Sequence, residues 1–542
     1  MRLSREGLED REGWRKVGAE LPPYDLEGLA ERAREAPVWA HFGIGNIFRI
    51  FVGAIADRLI RSGDLDRGIT CVEAFDFDVV DEVYAPFDDL ALAVTLHGDG
   101  RRDLRVLGAL SEALRARPDD PVAWARLKAV FAAPSLQLVS FTITEKGYVL
   151  RGADGELLPR AKADIEGGAG RAAGAMAIVA AMLHERWKAG GAPLALVSMD
   201  NVSRNGEMLR EGVLTIARAW AGRGWIDGRA VSYMEDEARV SFPWTMIDKI
   251  VPRPSEAVAA SLAELGIEGM APIVTSRGTH VAPFVNAEAP QYLVIEDRFP
   301  NGRPPFERLP EEVGVRLTDR ATVDRAERMK VTACLNPIHT ALCTYAILLG
   351  HALFADAMRD PELAELARRV GHAEGLPVVE DPGILSPKAF LDEFIEERAS
   401  NPYLGDTSAR IAVDVSQMLG IRFGHTIKAW MGREGSASRL VGIPLAIAGW
   451  IRYLLAVDDE GRPFELSPDP MLPQLRAQLA GIALGRAEGI GERLRPILSN
   501  DRMFLVDLYE AGIGEAIEAM ARELSAGPGA VRATLRRYLA RP

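Results

Sequence analysis

Through the first half of the chain, short apolar runs alternate with longer stretches whose apolar residues recur at helical spacing. The runs at residues 38–42, 69–73, 90–96, 136–144, 193–199 and 291–297 are of strand length. Helical patterns fill residues 44–60 and the alanine-rich stretch 168–187. This alternation predicts an α/β fold with a largely parallel sheet. From about residue 321 the pattern turns helical and stays so, interrupted by Pro-containing loops at 381–387 and 457–470. The expected division is therefore an α/β domain over residues 1–285 and a mostly α-helical domain over residues 286–542. In the second domain, Pro337 disfavours helical backbone at Asn336 and suits the first turn of a new helix. One helix is expected to end near Leu335, with Asn336 as N-cap of a second helix over residues 337–358.

The first apolar run leads into Gly43-Ile44-Gly45, and a helical pattern follows. Strand, glycine turn and helix in that order suit a Rossmann-like, dinucleotide-binding unit. The glycines permit a tight turn and close approach of a pyrophosphate, and the helix N-terminus offers free N–H groups. Asn46 opens the helix, Phe48 stands where the third glycine of the fingerprint falls, and Arg49 follows. The second run closes on Glu73, where an acid binds ribose hydroxyls and disfavours a 2′-phosphate. Asp76 and Asp78 compete for that role, and nearby arginines offer the alternative of holding a phosphate. Ligands of parallel sheets sit at the carboxyl ends of strands. Gly43, Gly45, Glu73, Thr144 with Glu145, and Asn201 all fall at such ends.

With 542 residues, 48% of them hydrophobic, more than one core is expected. The 64 basic and 77 acidic residues leave a net charge of −13, which argues against nucleic acid or an anionic membrane as partner. Cys71, Cys334 and Cys343 are too few for a disulfide framework and lack zinc-like spacing, so no metal is expected. The charged N-terminus gives no signal-peptide pattern, and apolar runs such as 440–451 are short for a membrane span. A soluble cytoplasmic protein is expected, monomer or homodimer.

The densest chemistry lies in residues 327–339, where Glu327, Lys330, Asn336 and His339 sit among apolar neighbours. Glu327 and Lys330 share a helix face. The expected kink would turn the Asn and His side chains towards the end of the Lys-bearing helix. An unperturbed lysine titrates near about 10.4, and burial beside cations lowers it towards roughly 7–8, where proton exchange is efficient at neutrality.

Several segments together resemble the long-chain polyol dehydrogenase family that includes mannitol dehydrogenase and the uronate reductases. They are His41 to Arg49, Thr142 to Tyr148, Ser198-Met199-Asp200-Asn201 with Asn205-Gly206, Phe242 to Ile250, Ile295 to Pro300, Glu327 to His339, and Asn401-Pro402 with Asp406 to Arg410. They keep the family's order over roughly residues 38–430. The resemblance implies a metal-independent NAD-linked oxidoreductase acting on a small sugar acid or polyol. Lys330 matches the general acid/base, and Asn201 and Asn336 the amides holding the reacting oxygen. Glu327 matches an acid that passes protons, and Asp248, His339 and Arg410 match substrate-binding positions. The six-residue Lys330-to-Asn336 spacing and the segment Asp414-Val415-Ser416-Gln417 look more like the branch that reduces D-fructuronate to D-mannonate. A uronate needs a cation for its carboxylate, and the candidates are Arg410, Arg422 and Lys249. Tagaturonate, mannitol as an uncharged polyol, and a catalytically silent NAD-binding role remain the alternatives.

Overall fold

The computed structural model describes residues 1–152 and 154–540, and the chain parts into two compact units, Met1–Asp324 and Arg325–Pro542. The expected division at residue 285 falls earlier than this one. Three strands explain the difference. Phe284–Glu288 pairs with Ala91–Leu96, Tyr292–Glu296 with Thr245–Asp248, and Val315–Thr318 with Tyr292–Glu296. Each completes a sheet begun earlier in the chain, so the first unit runs on to residue 324.

The first unit is built on a six-stranded, wholly parallel sheet. Its strands are β1 (Trp39–Phe42), β2 (Ile69–Glu73), β3 (Leu110–Arg115), β4 (Leu138–Phe141), β5 (Leu194–Ser198) and β6 (Val240–Ser241). Their spatial order, β3-β2-β1-β4-β5-β6, is that of a doubly wound nucleotide fold. Side chains alternate between the two faces. Ala40, Phe42, Val139, Phe141 and Leu196 feed one core, with helices Ala175–Lys188 and Asn205–Gly222. Trp39, Cys71, Leu138, Ala195 and Val197 feed the other, with Phe51, Ile55 and Leu59 from the segment after β1. That segment is a π-helical stretch, Phe48–Gly53, running into α1 (Ala54–Arg61). The apolar run near residue 90 does become a strand, Ala91–Leu96. It lies in a separate four-stranded sheet rather than the parallel one. The helix expected over 168–187 begins only at Ala175, because Gly168 takes φ +72° and Gly174 is extended.

The second unit is helical. Helix α2 (Arg320–Met329), in which the boundary falls, continues as a π-helical turn, Lys330–Cys334, and then α3 (Asn336–Leu348). The break falls at Leu335, as the proline predicts. Asn336, expected as N-cap, is instead the first helical residue and makes no capping bond. The second helix stops at Leu348 rather than residue 358, since Gly350 takes φ +81°, and a short helix restarts at Phe354–Arg359. The run Arg320–Leu348 has the length and apolarity of a membrane span, with most of its apolar window buried in the protein. Helix α3 packs on α4 (Gly442–Tyr453), and α4 on α5 (Gly514–Leu524). Every residue of α4 is buried. Its N-terminus is capped by the buried carboxylate of Glu374, which accepts from the amides of Val441, Gly442 and Ile443 at 2.7, 2.6 and 2.8 Å.

Candidate active site

In the first unit the candidate residues gather along the carboxyl edge of the parallel sheet. Gly43 leaves β1 with φ +86°, and a Cβ there would lie 2.2 Å from the Thr142 carbonyl oxygen. The turn is thus closed to any other residue. Gly45 is different: a Cβ there would meet nothing within 4 Å. The protein leaves open space beside the Gly45 backbone, at the start of a helix, where an anionic group gains most from helical N–H groups and the dipole. His41, fully buried just before the turn, hydrogen-bonds Ser140 Oγ at 2.6 Å and Thr142 Oγ1 at 2.9 Å and stacks on Phe48. Burial pushes its pKa well down, so the imidazole is neutral and ties β1 to β4.

Asn46, Phe48 and Arg49 hold the turn from inside. Asn46 donates to the His280 carbonyl, and Arg49 to the Asn46 side chain and the Ala282 carbonyl. Phe48 and Arg49 are buried, and Arg49 Nε has no partner among the described residues. A buried cation without a carboxylate partner, set in the first turn of this helix, suits a site that receives a phosphate. Glu73, at the end of β2, folds back on its own loop. One carboxylate oxygen accepts from the amides of Ala74, Phe75 and Asp76, the other from Ile44 at 3.3 Å. Burial still drives its pKa upward, against those four N–H groups. Asp76 accepts from the hydroxyls of Thr275 and Thr279, and Asp78 from the Ser276 amide.

Further along the edge, Thr144 and Glu145 are exposed, and Thr144 takes φ +63°. Asp200 sustains that conformation. Its carboxylate accepts from the amides of Ile143 and Thr144 at 2.8 and 3.1 Å and from the Tyr148 hydroxyl at 2.6 Å. Asn201, next in the chain, is exposed. The buried Asn205 side chain bridges the Asp200 carbonyl to Thr245, which fixes the Asp200–Asn201 turn against strand Thr245–Asp248. Asp248 ends that strand, buried, and Lys249 donates to the Glu288 carbonyl at 2.9 Å.

In the second unit the Lys-bearing run is held from several sides. Lys330 is 1% exposed and opens the π turn, whose wide ring is closed by the Leu335 amide on the Lys330 carbonyl. Such turns frequently mark functional sites. Thr426 Oγ1 donates to the Thr332 carbonyl at 2.9 Å and pins the turn. Glu327 is half-buried one turn earlier. Asn336 Oδ1 is buried with no partner among the described residues, an arrangement that costs about 1–3 kcal/mol unless something else supplies a donor. His339, one turn on, is flanked edge-on by Phe354 and Phe394. Arg422 donates to Thr340 Oγ1 at 2.6 Å, beside His339, and has no ion-pair partner among the described residues. Arg410 is exposed and paired with Asp406.

The structure thus groups Gly43, Gly45, Glu73, Thr144 and Asn201 at one sheet edge, and Lys330, Asn336 and His339 along one helical run, with Arg422, from the turn Gly420–Gly424, bonded to that run at Thr340. Arg410 and Lys249 turn to other partners. The residues that sequence reasoning passed over are the positioning ones: His41, Tyr148, Asp200 and Asn205. All four lie in segments that carry the family resemblance, and Asp200, a strand-end acid directly before Asn201, also stands at a telling position. No group of three or more His, Cys, Asp or Glu residues is placed to hold a metal among the described residues.

Comparison with known proteins agrees with this division. Residues 39–308 match the family described as mannitol dehydrogenase Rossmann domain, and residues 322–524 the mannitol dehydrogenase C-terminal domain. The chain is 50% identical to the D-mannonate oxidoreductase of Thermotoga maritima, covering all of this chain and 99% of that one. It is 29% identical to the Escherichia coli D-mannonate oxidoreductase over 90% of this chain and 92% of the relative. Among solved structures it is similar to Pseudomonas fluorescens mannitol 2-dehydrogenase, in ternary complex with NAD and D-mannitol. That match has 25% identity, TM-score 0.73 and full coverage of both chains.

Proposed function

The chain belongs to the mannitol dehydrogenase family, and on that premise we propose that it interconverts D-fructuronate and D-mannonate with NAD(H). The observation that carries this reading is the buried Lys330 at a π turn, followed by Asn336, whose amide oxygen has no partner among the described residues, in a chain half identical to a D-mannonate oxidoreductase. The sheet-edge glycines, the buried Arg49 cation and the open space at Gly45 fit a dinucleotide. When bound, the nicotinamide supplies or accepts the hydride.

The chain's own groups do the rest. In reduction Lys330 gives a proton to the developing alkoxide, and in oxidation it removes one. The amide hydrogens of Asn201 and Asn336 hold that oxygen as charge builds, a role worth about 3–4 kcal/mol per donor in comparable sites. Neutral donors do so without trapping the product as an ion pair. Glu327, half-buried one turn from Lys330, passes the proton to solvent. Asp248 and His339 position the substrate hydroxyls. Among the three candidate cations, Arg422 is the best suited to the substrate carboxylate. Arg410 is paired with Asp406 and Lys249 is spent on a carbonyl, whereas Arg422 flanks the His339 turn without an ion-pair partner among the described residues.

The test is oxidation of NADH on addition of D-fructuronate, with Lys330→Ala beside the parent. The parent turns over, and the variant loses at least a thousandfold in kcat while binding NADH within threefold. No turnover by the parent on fructuronate, tagaturonate or fructose would sink the enzymatic reading and favour a silent NAD-binding role.

A further inference from the structure

Beyond the carboxyl ends of β2 and β3 lies a cavity of about 790 Å³ within the first unit. In the strand order β3-β2-β1, with phosphates over the glycine turn after β1, this is the side where the adenosine half of a dinucleotide lies. Its charge is opposite to that of the chain. Arg117, Arg160, Arg171 and Arg277 line it against a single acid, Asp119, so its lining carries 4 − 1 = +3 in a chain of −13. Arg117 is paired with Asp119. Neither Arg171 nor Arg277 makes a salt bridge among the described residues, although Asp78, held mainly by Ser276, also feels the Arg277 charge. Exposed cations gathered on one lining make it a favourable place for an anion.

Two further features point the same way. Glu73, the acid at the position that usually takes the ribose hydroxyls, has both carboxylate oxygens committed to backbone amides of its own neighbourhood. It is buried at 6% exposure, and its oxygens face those four N–H groups, which offset part of its charge, instead of turning outward to ribose hydroxyls. Beside it Phe75 is 51% exposed, an unusual place for a large apolar ring. Arg277 and Arg160 lie over that ring at 5.3 and 6.0 Å from its centre. Ring and guanidinium planes layered in this way give a purine surfaces on which to stack.

We propose that this pocket receives the 2′-phosphate of NADP(H), with Arg171 and Arg277 as the principal clamp and Phe75 under the adenine, so that the chain uses both dinucleotides. The proposal rests on the dinucleotide reading above and adds the phosphorylated cofactor to it.

The test titrates NADH and NADPH into the intact chain by quenching of protein fluorescence, then 5′-AMP and 2′,5′-ADP as competing fragments. The expected result is an NADPH Kd within tenfold of that for NADH and 2′,5′-ADP at least tenfold tighter than 5′-AMP. In the double variant Arg171→Ala/Arg277→Ala, NADPH affinity falls at least tenfold more than NADH affinity. Both arginines are exposed, and unchanged thermal unfolding of the variant checks its fold. NADPH more than tenfold weaker than NADH, or a double variant that weakens both by the same factor, overturns the proposal and leaves NADH binding intact. Failure of both dinucleotides to bind overturns the dinucleotide reading itself.

Discussion

Gly43 and Gly45 stand two residues apart in one turn, yet the structure assigns them opposite reasons for being glycine. Adding one methyl group to each separates the two. At Gly43, alanine would adopt φ +86°, at about 1–3 kcal/mol for a residue with a Cβ. Its Cβ would also sit 2.2 Å from the Thr142 carbonyl oxygen, which is backbone and cannot rotate away. Relief requires Gly43 and Thr142 to move apart, straining the Gly43–Val72 bond to β2 and the Thr142–Phe42 bond between the ends of β1 and β4, of 3.0 and 2.9 Å. Weakening those two adds about 1–3 kcal/mol. The sum is about 2–6 kcal/mol, and for a unit of this size each kcal/mol lowers Tm by roughly 1–2 °C. Gly43→Ala should therefore lose about 2–12 °C in differential scanning calorimetry. Gly45→Ala meets no protein atom within 4 Å and has no positive φ, so its Tm should move by less than 2 °C. Its NADH affinity, however, should drop at least tenfold, because the methyl group fills the space through which a pyrophosphate approaches the backbone. A Gly45→Ala protein that binds NADH as the parent does would refute this assignment of the turn. A Gly43→Ala protein as stable as the parent would refute the packing argument.

Two other predictions concern stability alone. Asp89 is largely withdrawn from water with φ +59°, and burial raises its carboxyl to about 6 from 3.8. The native state therefore holds a proton more tightly than the unfolded chain between those values, and stability falls as pH rises through that window, by up to about 3 kcal/mol. Asp89→Asn, which tolerates the same backbone, should be more stable than the parent by about 1–2 kcal/mol at pH 7.5. The gain should vanish below pH 4, and a gain that persists there in paired thermal melts would contradict the cause given. Glu374→Ala leaves three amides at the start of a fully buried helix without their acceptor. A loss of about 2–4 kcal/mol in urea unfolding is expected, and a loss under 1 kcal/mol would show that α4 does not depend on this cap.

Much of this architecture is legible in the chain itself. Strands β1, β2 and β5 announce themselves because they are buried on both faces and read as unbroken apolar runs. The Pro337 break follows from ring sterics alone. Strand β3, Leu-Ser-Glu-Ala-Leu-Arg, escapes notice because it lies at the sheet edge, where polar residues are allowed. The later domain boundary escapes for another reason: the strand Phe284–Glu288 finds its partner 284 − 92 = 192 residues back, in Ala91–Leu96, and no local pattern encodes that pairing. At the site, Gly43, Lys330 and Asn336 are visible as residue types at telling positions. The groups that hold them, Asp200, Asn205 and Tyr148, become visible only once strand ends converge. Arg422 and Arg410 look alike in sequence and differ in the fold, one turned to Thr340 and the other exposed beside Asp406.

The central claim is that a positively charged group awaits a substrate carboxylate beside a proton-transferring lysine. Its most direct measurement is the ratio of kcat/KM for D-fructuronate to that for D-fructose, read as NADH oxidation by the parent chain. A single charged hydrogen bond to the carboxylate, worth about 1.5–3 kcal/mol, predicts a ratio of roughly ten to more than one hundred in favour of the uronate. A ratio near one, or one favouring fructose, contradicts the account.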